Sequence, residues 1–234
     1  MKKIRILTYS YYCLITFCNN WILTHFEFTN LQIFFLSFFF TLITLIPILI
    51  WNRQEISLSL FKSSLLVFLN LLILAWIFNH SYAEIPNGFL YFFYDLFSVA
   101  LIEEIIFRGI FYRSLLKQYS PIKATILTTL LFAAMHLPRI WLQNEAWITT
   151  LPNICFASLL LCLFFYLSHN TLLAAIIHFF LNYFGFANPL ILILLFDMIY
   201  LLLSKLWNAK RKSILSIQSS PIYSVFYLHL HCLK

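Results

Sequence analysis

From Leu31 to Trp51 the chain carries no charged side chain, and apolar runs of this kind recur along its whole length. A helix needs about 20 mostly apolar residues to cross a bilayer. Runs that meet or approach this length fall at 6–24, 31–51, 64–79, 87–112, 122–138, 150–168, 170–186 and 188–206. The third is short, and only Ala187-Asn188-Pro189 separates the last two. Backbone groups inside a bilayer must be satisfied within the segment, which leaves helices as the natural reading. The expectation is an all-α fold: a polytopic membrane helix bundle of about eight transmembrane helices. It would form a single transmembrane domain over 1–207, followed by a basic cytoplasmic tail over 208–234.

Composition agrees. The chain is 62% hydrophobic and only 10% charged, against roughly 25% charged residues in soluble domains. Three glycines in the whole chain leave no phosphate-cradling loop, and no G-x-x-x-x-G-K-[ST] string occurs. Cys13, Cys18, Cys155, Cys162 and Cys232 lie in or near apolar segments without C-x-x-C pairing. That pattern describes small hydrophobes in helices rather than a disulfide framework or zinc site.

A net charge of +7 suggests nucleic acid until the basic residues are placed. They gather at helix ends, as membrane orientation requires, so the implied partner is the lipid bilayer and not a nucleic acid. With the N-terminus inside, thirteen of the fifteen Lys and Arg fall on inner segments and Arg139 alone in an outer loop. Arg108 lies within a span. This bias predicts a multi-pass protein with both termini cytoplasmic, in the plasma (inner) membrane if the source is bacterial. The basic start (Lys2, Lys3, Arg5) resembles a signal peptide, but Asn19, Asn20 and Trp21 stand where a small-residue cleavage site would be. It reads as a first, uncleaved span.

Against that background the polar residues inside the spans stand out. A charge at mid-bilayer costs about 2.5–3.5 kcal/mol on insertion scales. Asp95, Glu103, Glu104 and Asp197 fall in spans, three of them on the fourth, with Arg108. Glu104 and Arg108 are about 40° apart around a helix and can pair as i, i+4 neighbours, whereas Glu103 is about 140° from Arg108. The arginine is therefore expected to neutralise Glu104 and to leave Glu103 without a local counter-charge, an arrangement suited to general acid–base work. Sequence alone offers no role for Asp95 or Asp197.

Phe132 and His136 share a face of the fifth span, as His178 and Asn182 do on the seventh. A turn at Gln118-Tyr119-Ser120-Pro121, with proline starting the next helix, lies midway between residues 103 and 136. Unbroken helices would set Glu103 and His136 at one depth, each roughly 22–25 Å from the turn. Asn182 would lie about 17–18 Å along its own helix, close to that level. Three helices thus direct ionisable or amide groups at one layer. His25, His80, His169, His229 and His231 sit at helix ends or in the tail and read as interfacial; His229-Leu230-His231-Cys232 lacks further ligands at metal-binding spacing.

Three motifs, in order and on separate spans, resemble those of the CPBP family, the CAAX-protease and bacteriocin-processing group of intramembrane endopeptidases related to the type II CAAX prenyl endopeptidases. Glu103-Glu104-Ile105-Ile106-Phe107-Arg108-Gly109 resembles E-E-x-x-x-R-G, Phe132 to His136 resembles F-x-x-x-H, and His178 to Asn182 resembles H-x-x-x-N. The motif-bearing core is about 87–186. The resemblance implies that Glu103 activates a water for attack on a peptide carbonyl, with His136 holding or polarising it. It implies that His178 and Asn182 donate to the tetrahedral oxyanion, with Glu104, Arg108 and Phe132 in support. Zinc is a further candidate, on Glu103, His136 and His178; the absence of H-E-x-x-H and the Glu104–Arg108 pair favour chemistry without a metal. The implied substrate is a membrane-anchored protein or peptide: a prenylated tail, a bacteriocin-like peptide or a C-terminal sorting signal. A proton-coupled transporter would use similar residues, but the halves show no inverted symmetry. An inactive membrane partner of the same fold would be marked by loss of Glu103, His136, His178 or Asn182, and all are present.

Overall fold

The computed structural model describes residues 2–27, 29–52, 64–82, 88–184 and 193–207. Arg53, Glu55, Lys62, Glu84, the Ala187–Pro189 link and the tail with Lys210, Arg211, Lys212, His229, His231 and Cys232 lie outside the described residues. The described residues are helical with no strand. They form α1 (Lys2–His25), α2 (Asn30–Trp51), α3 (Ser64–Ile77, continued by a π-helical turn, Phe78–Tyr82), α4 (88–116), α5 (Pro121–Leu142), α6 (Trp147–Ser168), α7 (Thr171–Phe184) and α8 (193–207). Each falls on one of the expected apolar runs.

The ends have local causes. Thr29 and Gln32 form a capping box at the start of α2. Ser120 caps α5, with Pro121 in the first turn, where its missing N–H costs nothing. α6 stops at His169, whose left-handed backbone (φ 52°) ends the helix. The Asn170 side chain then accepts from Leu173 N–H at 3.1 Å and starts α7. α5 runs past Pro138, the expected stop, to Leu142. Membrane helices tolerate an interior proline because neighbouring groups re-satisfy the freed carbonyl.

By length and composition, Gln32–Trp51, Pro121–Leu142 and Trp147–Ser168 can each cross a membrane. Leu69–Ser81 and Thr171–Tyr183 are shorter apolar helices. Phe35, Phe39, Leu130 and Ile148 lie exposed on these helices, as a lipid-facing surface requires. Trp141 and Trp147 are also exposed, flanking the α5–α6 loop, where amphipathic rings sit at a membrane interface. The protein is thus a helical integral membrane protein.

The chain divides into two compact units, Met1–Leu190 and Ile191–Lys234; α8 is the described part of the second. In the first, α1 packs antiparallel to α2, tied by Asn52 Nδ2 to Thr8 Oγ1 (2.9 Å) and Tyr11 Oη to the Ile43 carbonyl (2.8 Å). α1 runs parallel to α5, with Tyr9 Oη donating to the Leu131 carbonyl at 2.8 Å. α4 and α5 form an antiparallel hairpin about the 117–120 turn. α7 is the central element: residues 173–181 are all buried, as expected of a short helix apolar on every side.

Candidate active site

Most of the polar residues picked out from sequence converge where α4, α5 and α7 meet. Glu104 and Arg108 are both fully buried and pair at 2.7 Å. The guanidinium also donates to the Ser158 carbonyl and hydroxyl at 3.2 and 3.0 Å and lies 4.8 Å above the Phe132 ring. An intramembrane arginine needs this many partners because each unmatched donor is costly.

Glu104 has a second task. Its Oε1 also receives His178 Nδ1 at 2.9 Å, so a carboxylate already neutralised by arginine fixes the imidazole's orientation. The other ring nitrogen, Nε2, then lies 3.8 Å from Glu103 Oε2. His178 bridges the two neighbouring glutamates from the facing helix. Glu103 makes no ion pair with Arg108; its Oε1 accepts a 3.4 Å hydrogen bond from the buried Tyr12 hydroxyl on α1.

His136 is fixed in the same manner. Its Nδ1 lies 2.8 Å from the Phe132 carbonyl, which can only accept, so Nδ1 carries the proton and Nε2 is left with its lone pair. Glu103 and His136 line one cavity of about 300 Å³. Phe132 lies behind the wall rather than in it, with its ring centre 4.6 Å from that of His136 and 5.9 Å from that of His178. Asn182 is exposed, one turn beyond the buried His178, and neither lines the cavity.

Two contributors carried no sequence signal. Tyr12 and Ser158 are neutral residues on α1 and α6, outside any motif. A third feature is the form of α4, in which π-helical stretches, Tyr94–Leu101 and Ile105–Tyr112, flank a short α-helical Ile102–Glu104. π-helical turns are rare and concentrate at functional sites. Among the described residues no three His, Cys, Asp or Glu side chains form a metal-ligating group. Glu104, engaged by Arg108 and by His178 Nδ1, is not available as a ligand.

The sequence model of the type II CAAX prenyl endopeptidase Rce1-like family matches residues 85–184. Residues 85–184 are thus similar to the Rce1-like family, in agreement with the resemblance carried by the three motifs. No curated protein and no solved structure matches it. The Rce1-like match begins just before α4 and ends with α7, so it takes in all three motifs and leaves α1, with Tyr12, outside. This likeness supports a CAAX-type membrane protease, a hydrolase acting on membrane-associated proteins or peptides.

Proposed function

We propose that the chain is an intramembrane endopeptidase in which Glu103 activates the attacking water. The observation that supports this most directly is the different treatment of two adjacent glutamates. Glu104 Oε1 is held by both Arg108 and His178, while Glu103 lines a cavity with His136 and, among the described residues, pairs with no arginine.

In this reading Glu103 takes a proton from water and directs the oxygen at the scissile carbonyl. His136 Nε2 accepts from the same water and helps to hold it. His178 and Asn182 stabilise the oxyanion, where preorganised donors act most strongly. His178 Nδ1–H is committed to Glu104, so donation from Nε2 requires the imidazolium form. The local charge balance accommodates that form: two carboxylates face one guanidinium, and one further proton, on His178 or Glu103, brings the cluster to neutrality. Asn182 is exposed one turn beyond His178 and outside the cavity that Glu103 lines, so its part in this reading comes from the motif.

A C-terminal sorting signal or a bacteriocin-like peptide, carried by a membrane-anchored chain, is the proposed substrate. In this reading the first compact unit, Met1–Leu190, holds the protease site around the core at 87–186. Cells producing the wild-type chain or Glu103→Gln are compared by mass spectrometry of membrane-protein termini. New termini should depend on Glu103, and cleavage should fall by roughly 10²–10⁴-fold in the variant, the usual worth of a positioned general base. Equal cleavage by both proteins overturns the mechanism. Full activity of the purified protein under a zinc chelator is expected; loss of activity restored by added zinc would return the metal reading.

A further inference from the structure

The cavity has a direction. On α1 its lining starts at Tyr12 and continues to Leu23, toward the C-terminal end of that helix. On the parallel α5 it starts at Met135 and reaches Gln143, again toward the C-terminal end. On α4, which runs the opposite way, it extends from Glu103 back to Tyr94. All three helices therefore place the cavity on the same side of the Glu103–His136 level, away from the 117–120 turn.

Burial falls along the same path: His136 is buried, Arg139 half-buried and Gln143 exposed. On the other side of that level the space is filled. Ile106, Phe107, Ile110 and Phe132 are each at most 2% exposed and belong to one apolar cluster. Water and a polar peptide have no path through that plug.

The charges say which membrane face this is. At the closed end lie the start of α1, with Lys2, Lys3 and Arg5, and the α4–α5 hairpin, with Arg113, Lys117 and Lys123. At the open end the described basic residue is Arg139, which faces Glu145 at 3.3 Å. Short loops rich in Lys and Arg stay in the cytoplasm.

We propose that the catalytic cavity opens to the non-cytoplasmic face, so that the substrate is a translocated polypeptide segment presented from outside the cell and not a cytoplasmic tail. Resting on the peptidase reading above, this assigns the side and state of its substrate. The walls suit such a segment: Thr16, Asn20, Ser37 and Thr41 present hydroxyl and amide groups to a backbone entering from that end.

The test is cysteine accessibility in the full chain, with Cys13, Cys18, Cys155, Cys162 and Cys232 replaced by serine. Asn20→Cys and Gln143→Cys report the mouth, Ser98→Cys the interior and Tyr119→Cys the opposite turn. In intact cells a membrane-impermeant maleimide should label the two mouth positions, and a small charged methanethiosulfonate should reach Ser98→Cys. Tyr119→Cys should react only in inverted membrane vesicles. The reverse pattern, with Tyr119→Cys labelled on intact cells, overturns the proposal, as does a Ser98→Cys that reacts from neither side. Glu103→Gln in the same background should leave labelling unchanged, so a failed peptidase reading and a failed access reading remain distinguishable.

Discussion

Arg108 is fully enclosed in a hydrophobic bundle, so each of its contacts has a measurable consequence. Arg108→Ala would strand Glu104 with His178 as its remaining partner. Breaking a buried ion pair from one side costs about 3–5 kcal/mol, and thermal denaturation in detergent should show a large drop. Arg108→Lys should recover only part of the loss, because a point charge cannot span Glu104 and the two Ser158 oxygens together. Ser158→Ala keeps the ion pair and should cost about 1.5–3 kcal/mol, the range for hydrogen bonds to charged groups. The Glu104–Arg108 pair was legible in the sequence because i, i+4 spacing and opposite charge leave few alternatives. Ser158 and Tyr12 were not: a hydroxyl in an apolar helix has many satisfactory environments, and distance along the chain hides which one it meets.

The helices themselves were legible, since apolar length decides membrane segments almost alone; their internal form was not. An angular argument at ~100° per residue presumes a regular α-helix, yet α4 is π-helical on both sides of Glu103 and Glu104. The Glu104–Arg108 pairing survives at 2.7 Å, with Arg108 held by Phe132 and Ser158 and Glu104 by His178. Gly109 faces the start of α7: a Cβ there would stand 3.7 Å from Thr171 Oγ1, an ordinary contact. Gly109→Ala should therefore be tolerated, with a gain of up to about 1 kcal/mol from helix propensity. Gly109→Leu should push α4 from α7, break the 2.9 Å Glu104–His178 contact and abolish cleavage. Equal activity in the two variants would show that the interface does not set the site.

The Rce1-like match accounts for the polar constellation, but the cavity belongs to a larger assembly. α1 and α2 lie outside the matched stretch and still supply much of the wall, from Tyr12 to Leu23 and from Ser37 to Thr44. Their part was illegible in the sequence: threonines, serines and asparagines scattered at helical spacing read as ordinary bundle polarity until four helices surround one space. This division gives a prediction that separates substrate binding from catalysis. Thr16 is half-buried on α1 and lines the cavity without touching the Glu104–Arg108–His178 cluster. Thr16→Phe fills space with an apolar ring and removes a polar group from the wall. Stability should hold or rise, because the variant adds buried apolar surface without breaking a described ion pair. Substrate entry should suffer: KM rises, and kcat/KM falls by about tenfold for each 1.4 kcal/mol of lost binding, with kcat changed far less. A fall confined to kcat would place Thr16 at the chemistry instead of along the path to it, and unchanged kinetics would mean that the substrate reaches Glu103 by another route.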